Sequence, residues 1–161
     1  MRILVMSDSH GRSYYMERAI LQAYPIDYVI HLGDIEGEEE YLREISPCPV
    51  YMVSGNNDFF SPEPKEQVIS LGGYKMMLTH GHRQNVYSGT GLLKEMARRN
   101  GAKIAMYGHT HVPDVDLSTD VWVVNPGSIS LPRQKGRKPS YVIMEIDSMG
   151  EACFEIQYFN Q

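Results

Sequence analysis

Gly108-His109-Thr110-His111 places two imidazoles two residues apart, directly after the apolar run Lys103-Ile104-Ala105-Met106-Tyr107. That run reads as a buried strand. Side chains two apart at a strand end point the same way, so His109 and His111 have a metal-ligand geometry. Two surface histidines in a turn would give the same letters, so the decision rests on further ligands in matching contexts. Asp8-Ser9-His10 repeats the spacing after Arg2-Ile3-Leu4-Val5-Met6. Asp34 follows the run 27–32, Asn56 follows Val50-Tyr51-Met52-Val53, and His80 and His82 follow the run 74–78.

The same arrangement, an apolar strand and then a cluster of Gly, Asp, Asn or His, occurs after Met6, Leu32, Val53, Leu78, Tyr107 and Val124. Sites in α/β folds assemble at strand ends. Asp8, His10, Asp34, Asn56, His80, His109 and His111 are therefore expected at one rim. Five of the six histidines lie in these loops. The sixth, His31, sits inside an apolar run and reads as a core or hydrogen-bonded residue. The donor set contains no cysteine, which excludes a thiolate zinc site. Imidazole, carboxylate and amide oxygen together suit Mn²⁺, Fe, Ni²⁺, Co²⁺ or Zn²⁺. Seven donors are too many for one such ion and fit two, which would sit roughly 3.5–4 Å apart and clamp a phosphoryl group for attack by an acidified water.

The intervening segments supply the scaffold. A helix is expected from Ser13, as N-cap, to Tyr24, with Met16, Ala19, Ile20 and Ala23 inward and Pro25 as its stop. A short acidic helix is expected over Glu36 to Ile45, with Tyr41, Leu42 and Ile45 inward and its glutamates solvated. Cys48, between two prolines, reads as packing. Glu66 to Leu71 and Tyr74 to Leu78 form a hairpin around Gly72-Gly73. Ser88 to Asn100 reads as a helix with Leu92, Leu93, Met96 and Ala97 inward and Gly101 at its end. Val121 to Val124 is a further strand, and Tyr141 to Ile146 with Ala152 to Tyr158 is a closing hairpin. The basic stretch Pro132 to Pro139, with Arg133, Lys135, Arg137 and Lys138, reads more readily as a solvated loop or subunit contact than as a phosphate contact.

The chain has 161 residues, 42% of them hydrophobic and 22% charged, with a formal net charge of −5. That length suits one domain, spanning 1–161. The acidic balance argues against stable nucleic-acid binding, which draws on a basic footprint. Two distant cysteines without knuckle spacing argue for a reducing compartment. No apolar run approaches the roughly 20 residues of a membrane span, so a cytoplasmic protein is expected. The aromatic residues Tyr14, Tyr15, Phe59 and Phe60 leave a pocket or a homo-oligomer interface open.

The series Asp8-Ser9-His10, Gly33-Asp34, Gly55-Asn56-Asn57-Asp58, His80-Gly81-His82 and Gly108-His109-Thr110-His111 resembles the calcineurin-like metallophosphoesterases. With Asn125-Pro126-Gly127-Ser128 and the short length, it looks like their small single-domain YfcE-type phosphodiesterase branch. The resemblance covers Met1 to about Pro132. It implies an α/β, four-layer αββα sandwich of two mixed β-sheets flanked by helices. It implies that Asp8, His10 and His111 hold one metal, that Asn56, His80 and His109 hold the other, and that Asp34 bridges them, with Mn²⁺ as the foremost metal. It implies a metal-dependent phosphodiesterase acting on a small or soluble phosphoester through a bridging hydroxide. Phosphomonoester hydrolysis, or a non-catalytic scaffold like the retromer subunit that resembles this family, are the alternatives. Many members carry His at the position of Asn57, where it is thought to protonate the leaving group, and an amide cannot do so. Asp58 would then only brace its loop, and either a good leaving group or His82 would substitute. Asn57, His82 and Arg12 are candidate substrate contacts, with Arg83 close behind, while Ser9 and Thr110 shape their turns.

Overall fold

Alternation along β1 (Arg2–Met6) divides the protein into layers. Ile3 and Val5 face one core, Leu4 and Met6 another, and all four are fully buried. Such two-faced burial explains why the run is continuously apolar. The computed structural model describes residues 1–159. β1 pairs in parallel with β2 (Tyr28–His31), which pairs in parallel with β3 (Val50–Met52). On its other edge β1 runs antiparallel to β9 (Ser140–Ile146), followed by β10 (Ala152–Tyr158). The second sheet has the order β4-β5-β6-β8-β7, formed by Glu66–Leu71, Tyr74–Thr79, Ile104–Met106, Trp122–Pro126 and Pro113–Asp116. Both sheets are five-stranded and mixed.

The sheets pack face to face through Ile3, Val5, Ile30, Leu32, Met76, Leu78, Ile104, Met106 and Val124. Leu4, Met6, Val29 and Met52 on the outer face of the first sheet lie under α1 (Ser13–Ala23) and α2 (Glu39–Ile45). Met77, Ala105 and Val123 on the outer face of the second lie under α3 (Gly91–Arg99). The architecture is thus the expected αββα sandwich. Among the described residues, no helix is long and apolar enough to cross a membrane.

Several local expectations are corrected. Ser13 is the first helical residue of α1 rather than its cap; Arg12 holds that position without a side-chain capping bond. α2 begins at Glu39 because Glu36 and Gly37 are left-handed, with φ of 57° and 88°. Glu39 is buried, whereas Glu40 is exposed as expected. α3 begins three residues late, since Val86–Ser88 closes a 3₁₀ turn that Gly89, at φ 125°, cannot continue. In that register Leu93 and Ala97, four apart, face the sheet, Met96 packs beside them, and Leu92 is 48% exposed. The short edge strand β7 adds to the expected elements, because Pro113, Asp114 and Asp116 suppress the apolar alternation that marks strands. Tyr15 is half-buried against the Phe159 ring, 5.9 Å away, while Tyr14, Phe59 and Phe60 are exposed.

Leu78→Ala should therefore cost about 2–5 kcal/mol of stability, as a cavity between the sheets, and Leu92→Ala less than about 0.5 kcal/mol as a surface change. Urea unfolding of both variants checks the pair, and equal losses would contradict the register of α3.

Candidate metal centre

The loops that follow β1, β2, β5 and β6 meet at one end of the seam between the sheets. Asp8 and His10 come from the first, Asp34 from the second, His80 from the third, and His109 and His111 from the fourth. Asp8, His10 and His111 form one cluster of donors, and Asp8, Asp34 and His80 another, with the donor atoms in each within 4.8 Å of one another. Asp8 belongs to both. Its Oδ1 lies 3.1 Å from His111 Nε2, 3.8 Å from His80 Nε2 and 4.0 Å from His10 Nε2. Asp34 Oδ2 lies 3.4 Å from His80 Nε2 and 4.0 Å from His10 Nε2, so this carboxylate also stands between the clusters.

The three imidazoles are oriented from behind. His80 Nδ1 donates to the Leu32 carbonyl at 2.7 Å, His111 Nδ1 to the Leu131 carbonyl at 2.6 Å, and His10 Nδ1 to the Glu36 carboxylate at 2.7 Å. Each ring proton is thereby fixed on Nδ1, and each Nε2 turns its lone pair inward. His10 and His111 bring two such atoms within 3.2 Å. Asp8 Oδ1 and His80 Nε2 are buried without a hydrogen-bond partner. Buried acceptors without donors are costly, and a cation is what this donor set fits.

The carboxylates are held as firmly as the rings. Asp34 accepts the Asn57 main-chain N–H on Oδ1 at 2.8 Å and the Asn57 amide on Oδ2 at 2.7 Å. Asp8 accepts the His109 main-chain N–H at 3.1 Å. Burial pushes the Asp8 carboxyl up, but the His111 contact and the charge of His80 outweigh it and lower its pKa. Asp34 is lowered likewise against the same opposition, by His80 and then Asn57. His80 is raised, because Asp34 and Asp8 outweigh its burial.

Close approach and strain accompany the site. A Cβ on Gly55 would lie 2.1 Å from Asp34 Oδ1, and one on Gly108 would lie 2.0 Å from Ser7 Oγ. Asp8, His10, Asp34, Glu36, His109 and His111 all have positive φ, between 48° and 69°. Left-handed backbone at non-glycine residues costs of order 1–3 kcal/mol each and clusters at functional sites.

The remaining candidates are less central. His109 enters mainly through its main chain, and its ring lies 5.1 Å from that of His80. Asn56 is exposed, and its neighbour Asn57 is the amide that touches Asp34. The His82 ring lies tilted 5.5 Å from the His80 ring, and burial, with the charges of His80 and His109, lowers its pKa to about 4. It is therefore neutral at pH 7. Arg12 is exposed, with Nη1 3.4 Å from the Ser130 carbonyl, and Arg83 is exposed. Asp58 braces its loop and more, accepting the N–H groups of Asp34, Glu36 and Gly55 at 2.7–2.8 Å. Other residues also position the site, and of these Glu36 and Ser130 carry no sequence signal. Glu36 orients His10. Ser128 and Ser130 donate to the Asp8 carbonyl at 2.7 and 3.1 Å. Asn125 ties the Gly108 carbonyl and Thr110 together, which gives the Asn125-Pro126-Gly127-Ser128 motif its use.

The family model of the calcineurin-like phosphoesterase superfamily domain matches residues 1–149. The chain belongs to this superfamily. A Bacillus subtilis (strain 168) protein named a probable metallophosphoesterase, YsnB, is 32% identical over 149 residues, covering 92% of this chain and 86% of that one. A Streptococcus pneumoniae TIGR4 protein of known structure, described as a predicted phosphoesterase, is 36% identical with a TM-score of 0.82, covering 98% and 87%. Entamoeba histolytica Vps29, solved as a single mutant, is 25% identical with a TM-score of 0.77, covering 99% and 100%. The phosphoesterase relationship accounts for the clustered donors, and the Vps29 likeness places the same sandwich in a second setting.

His31 makes the apoprotein sensitive to acid. The Gly33 N–H donates to its Nδ1 at 3.2 Å, which leaves the proton on Nε2 to face Ser9 Oγ at 3.0 Å. Burial lowers its pKa to about 4 from 6.5. The unfolded chain thus binds the extra proton between pH 6.5 and 4, and the folded chain loses stability as pH falls, by about 1.4 kcal/mol per pH unit for one such group. His82 adds a slope of the same sign. His80, raised, contributes evenly across that window and loses its contribution only above it. Urea midpoints of chelator-treated protein from pH 7 to 4.5 should fall, and His31→Asn should flatten the fall; an unchanged slope would contradict the neutral buried ring.

Proposed function

We propose that this chain is a metal-dependent phosphodiesterase, a cytoplasmic single-domain hydrolase of a small soluble phosphoester. The observation that carries this reading is the set of three imidazoles, each anchored through Nδ1–H, whose Nε2 atoms converge on the buried carboxylates Asp8 and Asp34. Asp8, His10 and His111 would hold one divalent cation and His80, His109 and Asn56 a second, with Asp34 spanning both. Mn²⁺ is the foremost candidate, with Ni²⁺, Fe, Co²⁺ or Zn²⁺ as alternatives of similar ligand preference. Such a pair, when bound, neutralises charge on the phosphoryl oxygens and supplies an acidified water near neutral pH.

The chain's own groups do the rest. Glu36 and the carbonyls of Leu32 and Leu131 keep the three rings in the tautomer that presents a lone pair. Asn57 holds Asp34 in place and offers an amide N–H at the mouth of the centre, suited to a phosphoryl oxygen. It has no acidic proton to give, and His82 is neutral at pH 7, so the preferred leaving group departs as a stable anion. Diester preference, against monoester, is supported by two clefts that flank the centre. One of about 560 Å³ adjoins Asn57 and the other of about 610 Å³ adjoins His111, which gives each ester arm a place. A scaffold without catalysis is disfavoured because every carried-over ligand position keeps a metal-capable side chain.

Chelator-stripped protein should regain hydrolysis of an aryl phosphodiester on addition of Mn²⁺, and cleave it faster than the matching monoester. Asp34→Ala should abolish that activity and lower the metal stoichiometry while circular dichroism stays unchanged. Full activity in the variant would end the spanning role of Asp34. Inactivity of the folded wild type with every metal would favour the scaffold.

A further inference from the structure

The two clefts beside the centre differ in charge. The one beside Asn57 is lined by Glu36, Glu39 and Asp58 together with Phe59 and Phe60. The one beside His111 is lined by Ser130, Leu131, Pro132, Arg133 and Arg137, with no carboxylate. A smaller cleft of about 210 Å³ continues from it, shares Ser130, Pro132 and Arg137, and adds Arg18. A surface that gathers arginines without acids stands out in a chain of net charge −5.

Arg133 is built into the rim rather than solvated at random. Its main-chain N–H donates to the His111 carbonyl at 3.0 Å. Its guanidinium donates to the Tyr87 hydroxyl, which in turn donates to the His109 carbonyl at 3.2 Å. The Tyr87 ring packs 5.0 Å from the His109 ring. Arg133 is thus fixed to both histidines of the Gly108-His109-Thr110-His111 loop. Arg2, Arg43, Arg98 and Arg99 are each paired with a carboxylate. Among the described residues, Arg133 and Arg137 have no such partner, nor do Arg12, Arg18 and Arg83, but of these five Arg133 is the one tied to the His109 and His111 loop. An unpaired guanidinium held in place is suited to bind an oxyanion bidentately.

We infer that the substrate is an asymmetric phosphodiester whose arm on the His111 side carries an anionic group, a carboxylate or a phosphate, bound by Arg133 and Arg137. This rests on the phosphodiesterase reading and adds a direction to it. The acidic, aromatic cleft repels such a group and takes the uncharged arm. Pro132 to Pro139, which the sequence presents as a solvated basic loop, becomes the specificity element.

The test compares p-nitrophenyl phosphodiesters whose second arm is glycerate, phosphoglycerol, glycerol or choline, on the Mn²⁺-loaded protein. The anionic arms should exceed glycerol in kcat/KM by about tenfold or more, chiefly through KM, as expected for a charge-assisted contact. Whichever anionic arm gains more identifies the oxyanion. The Arg133→Glu/Arg137→Glu variant should invert the order and favour choline, while Arg133→Lys should keep the wild-type order. Both changes lie in an exposed loop and leave the cores intact. Turnover of all four diesters at equal kcat/KM would overturn this inference and leave the phosphodiesterase reading standing. Turnover of none would overturn both.

Discussion

Two carboxylates and three imidazole lone pairs point at one another in the interior, and nothing in the chain separates them. Asp8 and Asp34 are buried at the seam of the sheets, where water cannot screen them. The Nδ1 anchors deny the rings the tautomer that would let them donate inward. Only positive charge resolves this arrangement. In the apoprotein the two carboxylates raise the pKa of His80, and His80 in turn helps to lower theirs. Cations can resolve the arrangement fully.

The sandwich serves this electrostatic knot. Asp8, His10 and Asp34 belong to one sheet, and His80, His109 and His111 to the other. Contacts such as His80 Nδ1 to the Leu32 carbonyl and the His109 N–H to Asp8 cross from sheet to sheet. The apolar interface from Ile3 to Val124 sets the distance between the layers, and the donors read that distance out at one end. Gly55 and Gly108 allow the loops to close onto the carboxylates and the Ser7 hydroxyl where a methyl group would collide.

Much of this is legible in the chain. Apolar runs ending in Asp, Asn or His mark the strands and the donor-bearing loops. The spacing of two does not act through strand alternation, however: β1 ends at Met6 and β6 at Met106, the backbone is left-handed at Asp8, His10, His109 and His111, and His111 joins Asp8 and His10 whereas His109 does not. His31 is separable from the other histidines by its apolar neighbours alone. What is not legible lies in contacts between segments distant in sequence. Glu36, Ser128, Ser130, Leu131 and Tyr87 act through hydrogen bonds to distant segments, from stretches without periodicity. The start of α3 differs from expectation because tertiary packing of Leu93 and Ala97, not helix propensity, decides which turn is helical. Asn56 and Asn57 are adjacent and identical, so sequence alone does not tell which amide meets Asp34.

The left-handed backbone at Asp8, His10, Asp34, His109 and His111 bears on how this fold can change over generations. At those positions Gly sits more comfortably than the residues present, although Asp and His are among the side chains that left-handed backbone tolerates best. Selection for hydrolysis holds the uncomfortable residues in place. A duplicated copy freed from that selection would lose a donor to glycine at little backbone cost, so erosion of the donor set would meet little resistance from the fold. A sandwich of this kind can therefore leave catalysis easily and keep its two sheets.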